Sequence, residues 1–139
     1  MKKLFRLLLI VAVLGDVGVA EAQRAGKLPR LGILEPGSTS NICTDGFRQG
    51  LRELGYMDGQ SIVIESRYSE SKPERLREVA ADLVRSAPDI IWTHSPPAVL
   101  VAKQATTTIP IVMVGVGSDP VRAGHVESLA RPGGNVTGL

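Results

Sequence analysis

Residues 31–40 read LGILEPGSTS. Leu31-Gly32-Ile33-Leu34 is an apolar run without polar alternation, which fits a strand buried on both faces of a parallel sheet. Gly32 and Gly37 stand five positions apart, and Ser38 and Thr39 follow. That spacing brings to mind the phosphate pattern G-x-x-x-x-G-K-[ST]. The position that needs lysine holds Ser38, so the charge that reaches the outer phosphates is missing, and Gly32 falls within the strand rather than in a loop. The stretch reads instead as a strand that runs into a loop and then a helix N-terminus. Amides placed there can face an anionic or polar ligand without a phosphate loop.

The rest of the chain repeats this unit. Apolar runs recur at Leu31–Leu34, Ile62–Ile64, Ile90–Trp92 and Ile109–Val114. The second continues as Glu65-Ser66-Arg67-Tyr68, whose polar alternation marks an edge strand. Helical periods lie between the runs. Phe47, Leu51 and Leu54 precede Gly55; Leu76, Val79, Ala80, Leu83 and Val84 form a wide apolar stripe; Ala98, Val101, Ala102 and Ala105 form a third. Ser71-Lys72-Pro73-Glu74 has the form of a capping box, and Ser95 is placed to cap the third helix. Val126, Leu129 and Ala130 predict a fourth, short helix, and Asn135–Leu139 a last short strand. The expected fold class is α/β: a three-layer, doubly wound parallel sheet of about five strands with helices on both faces.

Ligands of such sheets bind outside the carboxyl ends of the strands. Four loops therefore carry the candidates: Glu35–Asn41, Ser69–Lys72, Thr93–Pro97 and Gly115–Pro120. The candidate ligand-binding residues are Gly37, Ser38, Thr39, Ser95, Ser118 and Asp119. Ser38, Thr39 and Ser95 also suit capping or turn formation, and Asp119-Pro120 is also an ordinary helix-entry pair.

Before this sheet stands MKKLFRLLLIVAVLGDVGVAEAQ, residues 1–23. Lys2, Lys3 and Arg6, the apolar run Leu7–Leu14 and the small-x-small site Ala20-Glu21-Ala22 have the order of a secretory signal peptide. The competing reading is an anchor, but a spanning helix needs about 20 apolar residues, and Asp16 interrupts this run early. Residues 1–22 are expected to be removed, which leaves residues 23–139 as one domain and places the product in the periplasm. Cys43 is the only cysteine, so no disulfide forms within one chain. The net charge is +2 with the basic residues scattered, which suggests no nucleic acid and no anionic membrane surface.

Other chemistries find little footing. Gly115-Val116-Gly117 begins a dinucleotide fingerprint, but Pro120 stands where the third glycine belongs. His94, Ser95 and Asp119 invite a small secreted hydrolase reading, yet His94 and Ser95 are strand-end neighbours that point apart, and no G-x-S-x-G elbow surrounds Ser95. His125 falls mid-helix in this reading and is expected to be partly exposed. Two histidines and one cysteine give no metal-ligand cluster. The expectation is therefore a non-enzyme without cofactor or metal.

Three blocks carry a resemblance: FRQGLRELGYMDGQSIVIESRYSESKPERLREVAADLV (47–84), VAKQATTTIPIVMVGVGSDPV (101–121) and SLARPGGNVTGL (128–139). Together they resemble the bacterial ABC-transporter substrate-binding proteins that include tryptophan- and tyrosine-type solute receptors. The resemblance implies a type I periplasmic binding protein, in which a small-molecule solute sits between two lobes and a membrane permease reads their closure. It also implies that this chain holds the first lobe only, as a truncated importer component or a folded fragment without function. His94-Ser95-Pro96-Pro97 departs from the small residues more usual in the family at that place.

Overall fold

The computed structural model describes residues 26–115 and 117–138; the proposed signal segment lies outside them. Strands and helices alternate as β1 (Arg30–Glu35), α1 (Ile42–Glu53), β2 (Val63–Tyr68), α2 (Pro73–Arg85), β3 (Ile90–Thr93), α3 (Pro96–Ala105), β4 (Ile111–Met113) and β5 (Val136–Gly138). The strands form one parallel sheet in the order β2-β1-β3-β4-β5. The expected α/β sheet with its short last strand is present, and the polar run after Ile62 is at an edge. There Arg67 Nε meets Asp82 Oδ2 at 2.7 Å and Arg30 pairs with Glu65, so the edge is charged and resists pairing with another chain.

Alternating side chains along each strand sort into two cores. Leu34, Ile91, Ile111 and Met113 face α2 and α3, where they meet Leu76, Ala80, Leu83, Ala98, Val99 and Ala102. Leu31, Ile33 and Trp92 face α1, where Phe47 and Leu51 pack on them. The chain leaves β1 toward β2 in one direction and returns past it to β3 in the other. Crossovers of one hand then place the connecting helices on opposite faces. Gly32 lies where β1 passes under α2: a Cβ on it would stand 2.9 Å from Leu83 Cδ1. The glycine of the opening stretch thus admits a fully buried leucine.

Three local expectations are corrected. Val126, Leu129 and Ala130 are not helical. Pro120 opens one turn closed by Ala123 N to Asp119 O at 2.9 Å, and Gly124, at φ 73°, ends it before Val126. Val126 turns into the core while Leu129 is 78% exposed. The Ser71–Glu74 box does not form, because the N-cap of α2 is Lys72 with no side-chain bond. Glu70 and Ser71 instead take left-handed backbone, with Glu70 N on Gly37 O at 2.9 Å and Ser71 N on Pro36 O at 2.7 Å. Binding the β1 loop competes with capping and wins.

His125 is the third correction. It is 1% exposed, and neither ring nitrogen has a hydrogen-bond partner among the described residues. Burial, and then the nearby Lys103 ammonium, push its pKa down from 6.5. The unfolded chain therefore binds a proton that the folded chain resists. The stabilising contribution is complete above about pH 6.5 and is lost as pH falls from there toward the lower folded value. We expect the urea midpoint to drop between pH 7 and pH 5, and His125→Leu to flatten that slope. An equal slope in both proteins would contradict the assignment.

Candidate functional site

The sheet order changes direction between β1 and β3, and a crevice opens there between the loops that follow them. Its floor is Glu35. By the alternation of β1, Glu35 points to the same side as Leu31 and Ile33, toward the first turn of α1. It is 1% exposed, so its carboxylate needs partners. Thr44, buried in that first turn, donates its hydroxyl to Oε1. Asn41 Nδ2 donates to Oε2 at 3.2 Å, and His94 Nε2, just past β3, lies 3.0 Å from the same oxygen. Asn41 also caps α1, its Oδ1 accepting from Cys43 N at 3.0 Å and Thr44 N at 3.2 Å. The helix cap expected of Ser38 or Thr39 is therefore Asn41's, since the helix starts two residues later.

The loops of β1 and β2 are tied together by Ser69, whose amide donates to Glu35 O at 3.0 Å and whose hydroxyl donates to Pro36 O at 2.9 Å. Above Glu35 this leaves a cleft of about 510 Å³, walled by Gly37, Asn41, Ser71, Pro97 and His94. His94, Asn41 and Ser71 offer polar groups on an otherwise apolar lining, with Glu35 buried beneath them. That mixture suits reversible hydrogen bonding to a small polar molecule.

The candidates read from the sequence fall in different places. Gly37 lines this cleft. Ser38 and Thr39 are exposed on the adjoining loop, Thr39 Oγ1 donating to Ser40 O at 3.3 Å. Ser95 opens α3 but is 8% exposed and makes no side-chain capping bond. Ser118 and Asp119 line another cleft, of about 480 Å³, at the ends of β4 and β5. Asp119 Oδ1 accepts from Val121 N at 2.9 Å and Arg122 N at 3.3 Å, which closes the turn there. Sequence reading missed Glu35 and Asn41. The signal was available: a charged residue in phase with the inward side of an apolar strand must be partnered by something.

His94 also bounds a third cleft, of about 560 Å³, on the α1 face, beside Trp92, Phe47 and Val112. Phe47 and Trp92 stack there with centroids 4.4 Å apart.

The sequence profile of the ABC transporter substrate binding proteins matches residues 32–139. A tyrosine-binding protein of Clostridioides difficile is 40% identical over 93 residues, which are 67% of this chain and 27% of that protein. Among solved structures, an ABC domain in complex with L-Trp from Streptococcus pneumonia is similar at TM-score 0.74 and 30% identity, over 81% of this chain and 38% of that one. A ligand-free, open substrate binding protein with adhesive properties from Clostridium difficile is similar at TM-score 0.70 and 31% identity, over 80% and 38%. The chain thus spans well under half the length of the relatives it matches. With the sheet order, the strand-end cleft and the matched span in agreement, the chain belongs to the ABC transporter substrate binding proteins.

Proposed function

We propose that this chain is the first lobe of an extracytoplasmic solute-binding component of an ABC importer. Its solute is an aromatic amino acid or a similarly small polar molecule. The cleft over Glu35 at the switch between β1 and β3 carries the reading. The ligands named for the relatives, tyrosine and L-Trp, indicate the solute class. Gly37 would face the solute from the wall of that cleft, with Ser38 and Thr39 on the adjoining loop and Ser95 at the start of α3, while Ser118 and Asp119 would meet it where it reaches the neighbouring cleft at the ends of β4 and β5. Residues 1–22 would direct export to the periplasm. A second lobe would close the cleft and present it to a permease.

The described lobe supplies one wall. A high-affinity pocket buries about 70–90% of a small ligand. On an open wall water competes for each group, so a hydrogen bond nets only about 0.5–1.5 kcal/mol, against several kcal/mol lost on immobilising the ligand. L-tryptophan, L-tyrosine or L-phenylalanine should therefore bind with constants on the order of millimolar. Amide shifts of Gly37, Asn41 and Ser69 during an NMR titration would report it. A micromolar constant would refute the single-wall account. Unmoved shifts at concentrations well above millimolar would refute the amino-acid reading.

A further inference from the structure

Glu35, Asn41 and His94 settle one another's protons. Asn41 Oδ1 accepts two amides of α1, so the side-chain amide has one orientation and Nδ2 must face Glu35 and His94. Nδ2 is a donor only. It lies 3.2 Å from Glu35 Oε2 and 3.0 Å from His94 Nε2, and Nε2 lies 3.0 Å from Oε2. Three close polar atoms cannot all be donors or all be acceptors. The arrangement without repulsion gives Oε2 to both nitrogens as acceptor, which puts the imidazole proton on Nε2. The short Nδ2 to Nε2 approach is then the by-product of two donors that share one oxygen. In the neutral ring this leaves Nδ1 bare. Nδ1 makes no hydrogen bond among the described residues, while the His94 side chain is 24% exposed at the cleft wall.

We infer that His94 is a specificity-determining residue of this cleft, presenting Nδ1 as an acceptor to an N–H or O–H donor of the solute. Glu35 is the positioning residue that sets the tautomer. The inference rests on the solute-binding reading and narrows it: the end of β3 receives the solute's ammonium, amide or hydroxyl group and disfavours a carboxylate or phosphate oxygen. A bare imidazole nitrogen facing such an oxygen is a contact of two acceptors, and that asymmetry also orients a solute that carries both groups.

Nitrogen-15 NMR of the histidine rings tests both halves. In the free protein, wherever the ring is neutral, His94 is expected to show a protonated Nε2 and a bare Nδ1. Glu35→Gln, close in shape, should shift the ring toward a tautomer mixture. A protonated Nδ1 in the parent chain, or the same tautomer in Glu35→Gln, would overturn the positioning role. Adding L-tryptophan or L-tyrosine should move the Nδ1 resonance and leave Nε2 nearly still. His94→Phe should weaken binding about threefold to tenfold, the worth of one hydrogen bond, and His94→Asn, which retains an acceptor, should weaken it less. If amide shifts elsewhere in the cleft report binding while Nδ1 stays unmoved, the recognition role fails and the solute reading survives. If no solute moves any cleft resonance, the solute reading and the recognition role fail together, while the free-protein tautomer still judges Glu35.

Discussion

Leu83→Ala is expected to lower the unfolding free energy by about 3–5 kcal/mol, the range for a fully buried leucine whose site cannot collapse. Leu83 is completely buried, and its Cγ, Cδ1 and Cδ2 all lie within 3.1 Å of where a Cβ on Gly32 would stand. That proximity adds a second expectation. Gly32→Ala alone should destabilise by about 1–3 kcal/mol, because the new methyl overpacks a core in which the fully buried Leu83 side chain must shift to admit it. In the Leu83→Ala background the same methyl should fill vacated space and restore part of the loss. The double-mutant cycle should therefore show a coupling of about 1 kcal/mol or more. Urea unfolding of the four proteins measures it. Additive effects of the two substitutions would mean that the residue 32 methyl and the Leu83 side chain do not meet.

Asn41→Ala is expected to cost about 2–4 kcal/mol, more than an ordinary helix cap. The cap alone is worth about 1 kcal/mol, and the buried Glu35 carboxylate loses one of its donors, at about 1–3 kcal/mol. Asn41→Asp separates the two contributions. Aspartate caps a helix as well as asparagine, but here it places a second carboxylate where Nδ2 stood, 3.2 Å from Glu35 Oε2. The variant should be clearly destabilised at pH 7 and should recover toward the parent as acid neutralises one of the pair. Equal stability of the parent and the Asn41→Asp variant at pH 7, measured by urea unfolding, would show that Asn41 acts only as a cap.

The layers of the sheet were legible because buried parallel strands and their helices write unbroken patterns. Leu31–Leu34 and Ile90–Trp92 are short apolar runs bounded by turn residues, and the Leu76–Val84 stripe keeps a helical period along its length. The edge position of β2 was legible for the same reason, through Glu65 and Arg67. The misread places are those where a local signal met a long-range partner. Ser71 looked like a cap until the β1 loop took its amide. Val126 and Leu129 looked helical, but Gly124 ends the preceding turn, and the amides of Glu127 and Ser128 then bond forward to Pro132 O and Arg131 O instead of back along a helix. His125 looked like a surface residue because nothing in its neighbours announces burial. At the site, the loops were legible and the Glu35–Asn41–His94 contacts were not. His94 is 59 positions from Glu35, and only the pairing of β1 with β3 brings them together.

The central place of β1 also sets a timetable for synthesis. β1 is made first, yet both of its neighbours are made later, and the second of them ends only at Thr93. Until then neither Ile33 nor Leu34 can be covered on both sides of its strand. At 5–20 residues per second, the roughly sixty intervening residues take on the order of 3–12 s to emerge. The non-local pairing that completes β1 is slow to form even afterwards. During that interval the apolar Leu31–Leu34 run stays open to any chaperone that binds extended apolar chain. Translation order alone thus delays closure of the core until β3 has emerged.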